Sequence, residues 1–217
     1  MSVSQRQMGS SVVAELSKEL TETVIPISAL VGLLLGGVVM FEAMTLSKDD
    51  IVISATVLSH SVLGPFACGL VGLILAARIS AAQAAEIQSL YGASASDGQL
   101  ALGARTVMLG AGAFASYIVF VTCALVGSVI ATEAALAGAS AQIPDLIMYV
   151  RHPLGWIGDA VASTIMGMGI SYAAQKSASR GVRHHKEISR TAGRSVSVAL
   201  IAVCIVQTLY WLLLGLG

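Results

Sequence analysis

Long runs of apolar positions without a single charge dominate this chain. Asp, Glu, Lys and Arg are absent from residues 23–41, 51–77, 106–132 and 195–217, and Asp159 alone interrupts 154–175. Each run reaches the ~20 residues with which a helix crosses ~30 Å of hydrocarbon. In that layer every lipid-exposed backbone group needs its partner inside its own helix or a closed barrel. Barrel strands would alternate polar and apolar side chains, and these runs do not. The pattern predicts an all-α integral membrane protein whose five transmembrane helices form one domain over residues 23–217. Ahead of them, Val12, Val13, Leu16 and Leu20 fall at helical spacing among Arg6, Glu15, Lys18 and Glu19. That stripe predicts an amphipathic interfacial helix over residues 1–22, lying along the membrane surface. It lacks the continuous apolar core of a cleavable signal peptide.

Composition agrees with the pattern: 56% of residues are hydrophobic and 11% are charged, against roughly a quarter charged in soluble domains. The net charge of zero conceals an asymmetry. With the amino terminus inside, Arg6, Lys18, Arg78, Arg105, Lys176, Arg180, Arg183, Lys186, Arg190 and Arg194 fall on the cytoplasmic side, leaving Lys48 and Arg151 outside. This bias orients the chain with its amino terminus in the cytoplasm and its carboxyl terminus outside, in a bacterial inner membrane the periplasm.

Candidate chemistry is sparse. Cys68, Cys123 and Cys204 all sit within apolar runs and show no metal-ligand or disulfide spacing. No phosphate-binding loop of the Walker type is present, so ATP and magnesium, if they drive this protein, bind a separate subunit. Ser59, His60 and Ser61 are contiguous and therefore point different ways around a helix, so His60 reads as a pore-facing or packing residue. His184 and His185 sit among Arg183 and Lys186 and read as a solvated basic loop. Glu42 and Asp159 are the carboxylates nearest membrane depth, both near expected outer ends where water reaches. Small residues at Gly32 and Gly36, Gly110 and Gly112, and Gly167 and Gly169 permit close helix packing.

Three motifs resemble the MlaE/YrbE-type permeases, the membrane subunits of lipid-moving ABC transporters that work with MCE proteins. Leu63-Gly64-Pro65 resembles the end of the family's Arg-Glu-Leu-Gly-Pro signature. Ala77-Arg78 followed by Ala84-Ala85-Glu86-Ile87 is similar to its Gly-Arg-x-Gly-Ser-Ala-x-x-Ala-Glu segment. The stretch Ile188-Ser189-Arg190-Thr191-Ala192-Gly193-Arg194-Ser195-Val196 resembles the family's entry into its last span. Ser61 and Val62 stand where the family carries Arg-Glu. Glu86 aligns with either of two family glutamates. The alignment that also accommodates Leu90, Gly92 and Arg105 makes residues 85–90 the helix that meets the ATPase.

The resemblance implies a half-transporter moving phospholipids between the inner membrane and an MCE-domain lipid-binding protein. Its expected partners are an ABC ATPase subunit, a STAS-type regulatory subunit, and a second permease copy or a related permease. It implies no nucleic acid and no catalytic or metal-binding residue. Lipid is expected at Met40, Glu42, Met44, Ser61, Val62 and Leu63, at a dimer seam where Gly32 and Gly36 allow close approach. Coupling to the ATPase is expected at Glu86, Ile87, Gln88, Ser89, Leu90 and Gly92. Two other classes compete: an assembly subunit of a larger membrane complex, and an intramembrane lipid-modifying enzyme, which would need a carboxylate or metal cluster that the sequence lacks.

Overall fold

A computed structural model describes residues 14, 16–47, 50–90, 95–178 and 185–215, with side chains throughout except at Ser61, Pro65, 81–102, 177–192 and 213–215. The described residues form helices and short turns, with no strand among them. In chain order the helices are α1 (Leu16–Leu46), α2 (Ile51–Ser61), α3 (Pro65–Leu90), α4 (Ala95–Ala135), α5 (Ile143–Val150), α6 (Pro153–Ala178) and α7 (His185–Gly215), with a 3₁₀ turn at Ser140–Gln142. Among the described residues, three helical stretches are long and apolar enough to cross a membrane: Leu16–Leu46, Gly103–Ala135 within α4, and Gly193–Leu212 within α7.

Of the remaining two apolar runs, one is divided and the other is a single helix. Residues 51–77 are divided between α2 and α3, because Pro65 has no N–H to donate and disfavours helical geometry in the residue before it. The run 154–175 lies in α6, which follows a break at Arg151 and His152 below the short α5.

Residues 16–46 form one continuous helix. Its first turns adopt π geometry over Leu20–Val24. Pro26 explains this locally, since it cannot donate to the carbonyl four residues back, and a widened turn accommodates the missing bond. Leu16, Leu20 and Val24 are buried against the bundle, so the described part of the expected surface helix packs as an extension of α1.

Glycines bring the backbones together. A Cβ added to Gly32 or Gly36 of α1 would overlap the carbonyl oxygens of Phe120 and Ala124 of α4, and one on Gly127 would overlap that of Leu33. Gly167 of α6 lies equally close to the Leu109 carbonyl of α4. Gly32 and Gly36 are thus occupied within the chain, which corrects the expectation that they form a dimer seam. Lipid provides no hydrophobic drive between helices, so close approach through small residues is the natural source of packing energy.

The residue pairs in contact define two tiers. Toward the Ser47 end, α2 and α5 pack beside α1 and α4; toward the Lys176 end, α3 and α6 pack beside α4, and α7 packs on α3 and α6. Asp50 starts α2 as an N-cap, its Oδ1 accepting from the backbone N–H groups of Val52 (3.0 Å) and Ile53 (3.1 Å).

Candidate functional site: an ion pair where two helix breaks meet

The break between α2 and α3 leaves backbone groups to satisfy. Val62 N and Leu63 N both donate to the Leu58 carbonyl, at 2.9 and 3.2 Å. The Ser59 carbonyl, which Leu63 would have bonded in a regular helix, instead accepts from Arg151 Nη1 at 2.7 Å. Gly64 makes room for this: a Cβ there would stand 2.9 Å from Arg151 Nη1 and 2.9 Å from the His60 carbonyl oxygen. The glycine of Leu63-Gly64-Pro65 is therefore required by the approach of an arginine from a distant part of the sequence.

Arg151 belongs to the second break. Its backbone is extended between α5 and α6, as expected just ahead of His152 and Pro153. His152 Nδ1 accepts from Leu154 N at 3.3 Å and begins α6. The guanidinium lies over the Trp156 ring, 4.9 Å from its centroid, a distance at which the ring face attracts a cation. Its Nη2 pairs with Asp159 Oδ2, and both side chains are buried, 8% and 0% exposed.

Three further helices converge on Asp159. Tyr210 of α7 donates its hydroxyl to Oδ1 at 2.6 Å, and Tyr117 of α4 donates to Oδ2 at 3.2 Å. The Cys68 thiol of α3 donates to the Asp159 backbone carbonyl at 3.1 Å. Gly158 lets the Tyr210 hydroxyl pass close by, since a Cβ there would stand 2.9 Å from it. The cluster lies deep in the molecule. Tyr117 precedes the Ala135 end of α4 by about 27 Å and follows Arg105 by about 18 Å, at ~1.5 Å per residue.

These positions correct the sequence reading of both charges. Asp159 is enclosed by protein instead of lying at a watered outer end, and Arg151 is an interior residue although the charge bias assigned it to the outer side. Arg105, assigned to the cytoplasmic side, is also buried. An arginine eight residues before the lone carboxylate of an apolar run, with proline between, was the available signal. Nothing in the sequence pointed to Tyr117, Tyr210 or Cys68 as its company.

The expected lipid-contact residues do not form one surface. Met40, Met44, Val62 and Leu63 are buried within the single chain's own core. Glu42 is exposed on α1, and Ser61 lies in the last turn of α2 with its side chain outside the described residues. Glu86, Ile87, Gln88, Ser89 and Leu90 close α3 as helix, their side chains outside the described residues, as is Gly92 altogether. His60 is exposed, and His184 lies outside the described residues. Among the described residues, no group of three or more His, Cys, Asp or Glu is placed to hold a metal ion.

A groove of about 350 Å³ runs between α3 and α7, lined by Phe66, Leu70, Leu73, Val203, Gln207 and Trp211 among others. Phe66 and Trp211 stand half exposed at its rim. Toward the Lys176 end a second polar cluster ties α4 to α6: Gln175 Nε2 donates to Thr106 Oγ1 (3.0 Å) and Ser171 Oγ (3.1 Å). Ser195 of α7 donates to the Ser80 carbonyl of α3 at 2.9 Å, fixing the lower ends of the groove's two walls.

Comparison of the sequence with protein-family models gives no match, and comparison with the curated proteins gives none either.

Proposed function

We propose that this chain is the permease subunit of an ABC transporter that moves phospholipid, crossing the bacterial inner membrane five times with α2–α3 and α5–α6 as broken spans. The observation that carries the reading is the groove between α3 and α7. It is apolar, it is open along its side to where lipid chains would lie, and its volume is within the range of small-molecule sites. Gln207 and Thr208 on the α7 wall are the polar side chains of an otherwise apolar trough.

The three sequence motifs support the same reading. The charged pair absent at Ser61 and Val62 has a counterpart in space, because Arg151, paired with Asp159, approaches Gly64 of the Leu-Gly-Pro turn. In this reading an ABC ATPase subunit engages the end of α3, an MCE-domain protein receives or delivers lipid on the far side, and a STAS-type subunit regulates. A second permease packs against the face of α3 and α7. Only 17% of the apolar stretch of α7 is buried within the chain, against 44% for α4, so α7 has the most surface to offer a partner.

Photoactivatable residues at Leu73 and Trp211 should capture phospholipid that stays bound through detergent extraction. One at Ile130, exposed on α4, should capture lipid in the bilayer and lose it after extraction. Equal loss at all three positions would mean ordinary bilayer contact and would remove the groove as a lipid site. Recovery of the native complex without an ATPase would favour the assembly-subunit reading.

A further inference from the structure

The two walls of the groove are held very unequally along their length. At the Lys176 end, α7 is fixed by Ser195, Ala199 and Val203, all buried. Beyond Val203, none of the described residues 204–212 is fully buried. There α7 meets the bundle through Val206, Gln207 and Tyr210, which are half-buried, and Tyr210 bonds to Asp159 of the charged centre. Val203, Gln207 and Tyr210 are spaced to share one helical face, so whatever holds Tyr210 also positions the groove-lining side chains next to it.

We propose that the Tyr210 hydroxyl is a catch that sets the width of the groove. Its hydrogen bond to Asp159 holds the Gly215-end half of α7 against α6. When the bond is released, that half swings away from α3 and opens the trough to a lipid chain. The centre is built so that this bond can let go without leaving a bare charge. Asp159 keeps Arg151 and Tyr117 when Tyr210 departs, and Tyr210 is itself only half-buried. Tyr117 is fully buried on α4 and has no such freedom. Tyr210 is thus a positioning residue for the groove, and this inference rests on the groove being the lipid path.

The catch is tested without any transport measurement. The full chain, with Cys123 and Cys204 replaced by alanine and buried Cys68 retained, is placed in phosphatidylcholine nanodiscs. Spin labels go at Val161 of α6 and Leu212 of α7, both exposed. Interhelical hydrogen bonds in membranes are worth roughly 0.6–1.7 kcal/mol. Tyr210→Phe should therefore enlarge the population with longer label separation about three- to fifteenfold, while Tyr117→Phe should leave it unchanged. Gly158→Ala, which crowds the same hydroxyl from the other side, should act as Tyr210→Phe does and supplies the test if that variant fails to fold. An unchanged distance distribution in both Tyr210→Phe and Gly158→Ala overturns the proposal. So does an equal shift in Tyr117→Phe, which would mark general loosening of the bundle. Failure here with lipid still captured at Leu73 and Trp211 would leave the groove standing and remove only the catch.

Discussion

Replacing Arg151 by methionine tests whether the buried pair is formed. The substitution keeps much of the side chain's length, removes the charge, and leaves two groups without their partner. Asp159 loses its countercharge and retains only the two tyrosine hydroxyls, and the Ser59 carbonyl loses the donor that replaced its helical bond. Removing one member of a buried ion pair costs roughly 3–5 kcal/mol in soluble proteins, while single interhelical hydrogen bonds in membranes average nearer 0.6 kcal/mol because the unfolded reference also finds partners. Both ends of this pair are enclosed by protein, so the larger scale applies, reduced by protonation of Asp159. The expected loss is about 3 kcal/mol for Arg151→Met and a similar amount for Asp159→Leu, which strands the guanidinium instead. The double variant should be no worse than either single change, because no uncompensated charge remains, although two tyrosine hydroxyls and one carbonyl still lose a partner at ~1 kcal/mol each. Equilibrium unfolding in mixed micelles, monitored by helical circular dichroism, gives the three values. A coupling energy of at least about 2 kcal/mol is expected from the cycle. Additive losses, or a loss below about 1 kcal/mol for Arg151→Met, would refute the pairing.

Other outcomes follow from the packing and the orientation. Gly36→Ala drives a Cβ into the Ala124 carbonyl and should cost about 1–3 kcal/mol by overpacking, whereas Gly169→Ala, whose nearest neighbour would be 3.9 Å away, should be close to neutral in the same unfolding assay. Single cysteines at Ser47 and Lys176 should react with a membrane-impermeant maleimide from opposite sides of sealed vesicles, and labelling of both from one side would overturn the orientation read from the charge bias. Glu86→Ala combined with Leu90→Ala should uncouple ATP hydrolysis from lipid movement in the reconstituted complex, and an intact coupled rate would show that the end of α3 is not the contact.

The membrane class was readable from the charge-free runs because hydrocarbon imposes one requirement, paired backbone groups, on every crossing segment. The same runs did not reveal that residues 51–77 are divided between two helices. Gly64-Pro65 was visible, but whether the chain kinks or ends a helix there depends on what receives the carbonyl that the break leaves without its helical donor. Here that is Arg151, a residue 92 positions away in sequence from its acceptor, Ser59. Met40 and Met44 matched an acyl-chain surface by chemistry, yet helical phase turns them inward, and the exposed neighbours are Phe41 and Glu42. The glycine pair at 32 and 36 signalled close packing correctly but not its partner. A small-residue stripe fits another helix of the same chain as readily as one from a second copy, and only the tertiary arrangement decides.

The polar centre can be read as a sequence of obligations. A broken helix frees the Ser59 carbonyl in a medium where an unpaired backbone group costs several kcal/mol. A guanidinium answers it, but a buried cation needs an anion, and Asp159 supplies that two turns into α6. The carboxylate in turn has lone pairs to satisfy, and Tyr117 and Tyr210 meet them. Each step buries a group that the next must serve, and the series passes from α2 through α6 to α4 and α7. It ends at the half-buried Tyr210, whose departure leaves Asp159 with Arg151 and Tyr117. If lipid movement requires one helix of this bundle to yield, the polar network favours α7, the helix that forms one wall of the groove.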